Sequence, residues 1–211
     1  MAWALLILCA AASAQDHDHG AHRMGVDATG MTMNANQDIL PEDCDRISGE
    51  HEFEVRAGRV YAEPYPGLMF GFSEAEIEVE PCSLVTVTLV NEDDVRHQWM
   101  LHGLPRYLYP GGMFHLEAEG GHSRTASFIV PSDERTYLVH CDLPQHMEKG
   151  MKAQLKAGRG SGDLWSIPGV SAERYPSPSR PGRSAWLAIP ALIAGLVLAG
   201  AAWRIVGRRR R

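Results

Sequence analysis

Apolar and polar residues alternate through LVTVTLV at positions 84–90, the period-two signature of a strand with one face buried. Shorter runs rich in Val, Ile, Phe, Tyr and Thr, set between Gly, Pro and Asp turns, predict further strands at 51–57, 68–72, 76–80, 98–101, 124–130, 135–140 and 152–157, and the first run extends to 91. Between 44 and 158 no stretch carries the three-to-four spacing of an amphipathic helix. Several short strands with turns between them predict an all-β, two-sheet sandwich. Two segments depart from this pattern. Residues 15–40, QDHDHGAHRMGVDATGMTMNANQDIL, lack apolar periodicity and aromatic residues, which predicts a flexible arm up to the first ordered residue, Cys44. Beyond Gly158 the chain turns to Gly, Ser, Pro and Arg, which predicts a semi-extended tether.

The two ends are apolar without any period. MAWALLILCAAASA closes on Ala12-Ser13-Ala14, the small-residue pattern of a signal-peptide cleavage site, although no Lys or Arg precedes the run. Lipid attachment at Cys9 is the weaker reading, because Leu8 stands where a small residue is needed. Near the C-terminus a charge-free run follows Ser184; as a helix, residues 186–206 would be about 31 Å long, enough to cross a bilayer. Trp186 and Trp203 bracket it, and Arg204 and Arg208 to Arg211 follow, which places the C-terminus in the cytoplasm and the body outside. A buried core helix and a cleaved C-terminal sorting signal are the alternatives. The expected organisation is a signal peptide at 1–14, a His/Met-rich arm at 15–43, a β domain at 44–158, a linker at 159–184, a membrane helix at 185–207 and an Arg tail at 208–211. The expected location is the periplasmic side of a bacterial inner membrane.

Charge narrows the partners. The formal net charge of the 211 residues is -6, and since five positive charges belong to the C-terminal arginines, the exported part is more acidic still. That argues against a nucleic-acid partner and is mildly favourable to cations.

The candidate chemistry lies in YLVHCDLPQHMEKGM at 137–151, where Cys141, His146 and Met151 place a thiolate, an imidazole and a thioether in one loop between strands. A soft thiolate and two imidazoles with a weak axial thioether form a type 1 copper site, so Cys-x4-His-x4-Met supplies everything but one histidine. The turn VNEDDVRH at 90–97 offers His97 from another strand. His102 is the competing candidate, but alternation puts His97, Trp99 and Leu101 on one face and His102 on the other. Singly, each residue reads more simply as packing, a free thiol or a disulfide partner; the combination and spacing carry the metal reading.

In these residues the chain resembles the cupredoxins, and CDLPQHMEKGM has the Cys-x4-His-x4-Met spacing of rusticyanin-like proteins and of the type 1 site of multicopper oxidases. The resemblance covers about residues 44–158 and implies a Greek-key β-sandwich. His140 before Cys141 looks like the oxidase signature, but Asp142 stands where an oxidase has histidine and the domain has no paired His-x-His motif, so one chain cannot assemble a trinuclear centre. A binuclear CuA site needs a second cysteine in the loop. A nearer likeness is to the CopI-type periplasmic copper-tolerance cupredoxins, in VRHQWMLHGLPRYLYPGGMFHLEAEGG and FIVPSDERTYLVHCDLPQHMEKGM preceded by a His/Met-rich arm. It implies copper binding and protection against excess copper, with His97, Cys141, His146 and Met151 as ligands.

His17, His19, His22, Met24, Met31 and Met33 crowd the expected arm and offer imidazole to Cu(II) and thioether to Cu(I), a candidate secondary copper site. Cleavage after Ala14 would leave Gln15-Asp16-His17 at the new N-terminus, where amine, amides and imidazole can bind Cu(II) in a plane unless Gln15 cyclises. Cys44 and Cys82, an even pair in an oxidising compartment, predict a disulfide, with a second thiolate metal site as the alternative. Three functions remain: copper tolerance, one-electron transfer between respiratory partners, and catalysis. Four protein ligands leave a type 1 copper no open position, so a non-enzymatic role is expected. Trp99, Met100, Met113, His115 and His122 offer a weaker, additional copper path. Expected partners are copper ions and a redox or copper-transfer protein.

Overall fold

The computed structural model describes residues 24–172, together with Pro190 and Ile193. The expected signal segment, His17, His19, His22 and, apart from Pro190 and Ile193, the expected membrane helix therefore lie outside the described residues. Among the described residues no helix is long and apolar enough to cross a membrane.

The strands are β1 (Met24–Asp27), β2 (Gly30–Met33), β3 (Glu50–Gly58), β4 (Gly71–Phe72), β5 (Glu76–Val79), β6 (Leu84–Asn91), β7 (His97–His102), β8 (Met113–Ala118), β9 (Ser123–Ile129), β10 (Thr136–His140) and β11 (Lys152–Ala157). They form a seven-stranded sheet in the order β1-β2-β8-β7-β10-β11-β5 and a four-stranded sheet in the order β4-β3-β6-β9. Most neighbours are antiparallel; β3 runs parallel to β6, and β11 parallel to β5. The only helical elements among the described residues are short 3-10 turns and the isolated positions near the C-terminus.

The core lies between the two sheets. Along β6 burial alternates residue by residue, with Val85, Val87 and Leu89 fully inside, so the sequence pattern maps directly onto a strand with one wet face. Across from it Trp99 and Phe114 of the large sheet meet Phe128 of the small one, with ring centroids 6.2 and 4.7 Å from Phe128. Cys44 and Cys82 are joined in a disulfide that ties the start of the domain to the turn before β6.

Two expectations need correction. Residues 24–43 are not a free arm: β1 and β2 form a hairpin, and β2 extends the large sheet by pairing with β8, Met33 opposite His115. Side-chain amides anchor the segment after β2, Asn34 donating to the carbonyls of Pro110 and Met113 at 2.8 Å and Asn36 to the Tyr109 hydroxyl at 3.0 Å. Gly30 is required in the hairpin, because a Cβ would collide with the Glu117 carbonyl and the backbone has a positive φ. Nor is the linker loose from its start: Ile167 is fully buried, the Leu164 N–H donates to Gln154 Oε1 at 2.8 Å, and Asp163 pairs with Lys156 at 2.8 Å. Residues 159–172 thus fold back on β11 and on Thr136 at the start of β10.

Candidate metal centre

Three elements deliver the donors. The amide of Asn91, at the end of β6, donates to the Val95 and Ala118 carbonyls at 2.7 and 2.9 Å, while its oxygen accepts the Asp93 N–H. This shapes the turn that starts β7 at His97. Cys141 follows directly on β10, on the core side, while its neighbour His140 faces the other way. His146 comes from the loop between β10 and β11. That loop is closed by its own backbone: Cys141 N–H donates to Met151 O at 3.1 Å, and Met151 N–H to His146 O at 3.0 Å. Gln145 turns the chain in the left-handed region at φ 69°.

His97, Cys141 and His146 offer one donor atom each within 4.8 Å of one another. The two Nδ1 atoms are 3.2 Å apart, and Cys141 Sγ lies 3.4 Å from His146 Nδ1. The far nitrogen of His97, Nε2, is 2.7 Å from Asp93 Oδ2. With its proton on Nε2 toward that carboxylate, the ring presents a bare Nδ1 to the cluster. The sulfur is also held: the Gln98 N–H donates to it at 3.4 Å. Phe70 stacks on His146 at 4.2 Å and meets His97 edge-on at 5.3 Å, so one ring walls both imidazoles. Phe70 is fixed in turn where its N–H and that of Met69 donate to Lys149 O.

The electrostatics suit a metal. Burial lowers the pKa of His97 against the opposing pull of Asp93, and burial followed by the neighbouring His97 lowers that of His146, so both rings are neutral and keep their lone pairs at neutral pH. Burial pushes the Cys141 thiol up to about 11. A bound cation must therefore displace the thiol proton, and metal uptake weakens as pH falls. A thiolate with two imidazoles is a donor set for copper or zinc.

The structure thus brings His97, Cys141 and His146 together. Met151 is fully buried and closes the same loop. His102 lies elsewhere, stacked on His140 with centroids 4.7 Å apart. Met31 and Met33 are half-buried in β2 and Met24 is exposed in β1. Of the suggested additional path, Trp99 belongs to the core and His122 is exposed beside the Gly120 carbonyl. Asp93 and Phe70 belong to no metal-binding motif of the sequence. Asp93 could have been found from its place four residues before His97; Phe70 carries no local signal.

Compared by sequence, the chain matches no protein-family profile and no curated protein. Among solved structures, its fold is similar to auracyanin A, a blue copper protein from Chloroflexus aurantiacus, at 19% identity and a TM-score of 0.40 over 52% of this chain and 99% of that one. Auracyanin from Roseiflexus castenholzii is similar at 18% identity and 0.39, over 53% and 98%. A blue copper oxidase from Nitrosomonas europaea is similar at 20% and 0.41, over 55% of this chain and 40% of that one.

Proposed function

We propose that this chain is a cupredoxin that binds one copper ion at a type 1 site, which His97, Cys141, His146 and Met151 would hold, and that it serves copper tolerance on the periplasmic side of the inner membrane. The observation that carries the reading is the convergence of two Nδ1 atoms and one sulfur, backed by the Asp93 bond that fixes the His97 tautomer. Bound copper supplies a one-electron Cu(I)/Cu(II) couple. The chain's own part is to hold the donors before the metal arrives, keep water away with Phe70, and take the thiol proton off to solvent on loading. A role in tolerance is supported by the thioether and imidazole donors that go beyond one site, including His17, His19 and His22 ahead of β1. Export and membrane attachment rest on the two apolar ends of the sequence.

Electron transfer is the second reading, favoured by one feature: His97 is fully buried whereas His146 is only half-buried and gives the centre an edge near solvent. Catalysis is disfavoured, since four protein donors leave no position for a substrate. Deleting the gene and growing cells across a copper series separates the readings. Tolerance predicts growth failure at high copper; unchanged sensitivity with a respiratory defect at low copper replaces it with electron transfer.

The Asp93 contact makes its own prediction. Asp93→Ala should weaken copper binding by about 10- to 100-fold, because a ring without its carboxylate partner loses orientation and basicity. A competition titration reads this, and wild-type affinity would mean that another group orients His97.

A further inference from the structure

The face of the large sheet turned away from the core carries chemistry that the first centre does not use. Register places Met33 of β2 opposite His115 of β8, His115 opposite Met100 of β7, and Met100 opposite His140 of β10. Directly opposed residues point to the same side, so thioether and imidazole alternate in one row across four strands. Two residues along β7, His102 stands opposite Met113 and stacks on His140 with rings 3° from parallel.

This row is shielded. His115, Met100 and His140 are 3%, 6% and 7% exposed. Nevertheless His102 Nε2, His115 Nε2 and His140 Nδ1 are buried and lack any hydrogen-bond partner among the described residues. Buried polar atoms are nearly always satisfied, so three partnerless imidazole nitrogens on one face call for a ligand. Thioethers cannot donate to them. A cation that accepts both sulfur and imidazole nitrogen can engage neighbouring members of the row.

We propose that this outward face is a second metal site, in which His102, His115 and His140 with Met33, Met100 and Met113 take Cu(I). The preference for Cu(I) follows from the donors: uncharged thioethers and imidazoles without a thiolate suit a soft monovalent ion better than a hard divalent one, and the carboxylate next along β8, Glu117, is engaged by Arg96 and Gln98. The donors are spread along the row instead of converging on one point, and Cu(I) accepts the low coordination numbers that such a row offers. Burial lowers the pKa of both His102 and His115, which leaves their nitrogens free to bind at neutral pH. The site is separate from the first: His140 and Cys141 are adjacent but face opposite sides of the sheet.

Anaerobic titration of the full-length protein with Cu(I) against a chromophoric chelator tests this. Wild type should hold at least one Cu(I) beyond the first centre, and a Met100→Leu, His115→Leu double variant should lose it. Because His17, His19 and His22 stay in place in both proteins, any binding by them cancels. The visible band of the Cu(II)-loaded protein reports folding and the first centre independently, and it should keep its full intensity in the variant. Equal Cu(I) stoichiometry in the two proteins overturns the proposal, as does uptake of Zn(II) in place of Cu(I) at this face. If the double variant does not fold, Met100→Leu alone, which conserves volume, should lower Cu(I) affinity about tenfold or more, and an unchanged affinity overturns the proposal equally.

Discussion

Cys141→Ser is expected to abolish the intense visible absorption of the copper-loaded protein and leave at most weak d–d bands. The band of a type 1 site is charge transfer from thiolate to Cu(II), and among the described residues Cys141 is the sole free cysteine. Copper affinity should drop by more than the about 10- to 100-fold that follows when a group behind a ligand is removed, since here a ligand itself goes. The fold should survive. A serine hydroxyl can take the Gln98 N–H in place of the sulfur, and the loop remains closed by bonds from backbone to backbone. The exchange also removes the proton displaced on loading, so proton release per copper bound should fall by about one at neutral pH. Absorption spectroscopy and a pH-stat titration measure these; a persistent charge-transfer band would remove Cys141 from the centre.

Loss of the disulfide should have the largest effect on stability. Cys44 and Cys82 are separated by 38 residues, and closing a loop of that size in the unfolded chain corresponds to about 4 kcal/mol in the chain-entropy account. Native disulfides of small domains typically give about 2–5 kcal/mol. The double variant Cys44→Ala, Cys82→Ala should therefore lose about 2–4 kcal/mol in urea unfolding of the metal-free protein. Cys82 sits at φ 63°, so Cys82→Gly paired with Cys44→Ala should regain part of that loss by relieving the backbone. A loss below about 0.5 kcal/mol would mean that the unfolded chain is already restrained there. The copper band should persist, because the bridge lies outside the ligand loop.

How legible a feature was in the sequence depended on how local its cause is. β6 stands out because its alternation is undiluted, with one face wet and one dry. β8 does not, because both its faces are buried: Phe114 and Leu116 face the core while His115 and Glu117 are covered on the other side, so alternation in exposure disappears. β1 and β2 were hidden for a different reason. Their order comes from backbone pairing to β8, from the asparagine amides of 34 and 36, and from Arg124, which donates to Asp27 at 2.7 Å and to the Gly30 carbonyl. None of these leaves a trace in hydropathy. Cys141 and His146 could be read as neighbours because one loop carries them, and His97 because strand parity selects it over His102. Asp93 looked like an ordinary turn residue, and Phe70 reaches the imidazoles only through the fold.

The opposite orientations of His140 and Cys141 also limit how this chain can change in length. β10 pairs along its whole extent with β11, from Thr136 opposite Lys156 to His140 opposite Lys152, and with β7 only at Val139 and His140. Substitutions there change packing and leave direction alone. Gain or loss of a single residue between 136 and 140 reverses it, turning Cys141 outward and His140 toward His97 and His146. Variants of this domain can therefore accept insertions in the turn ahead of β10, at Asp133 to Arg135, while the five-residue count of the strand itself is held constant.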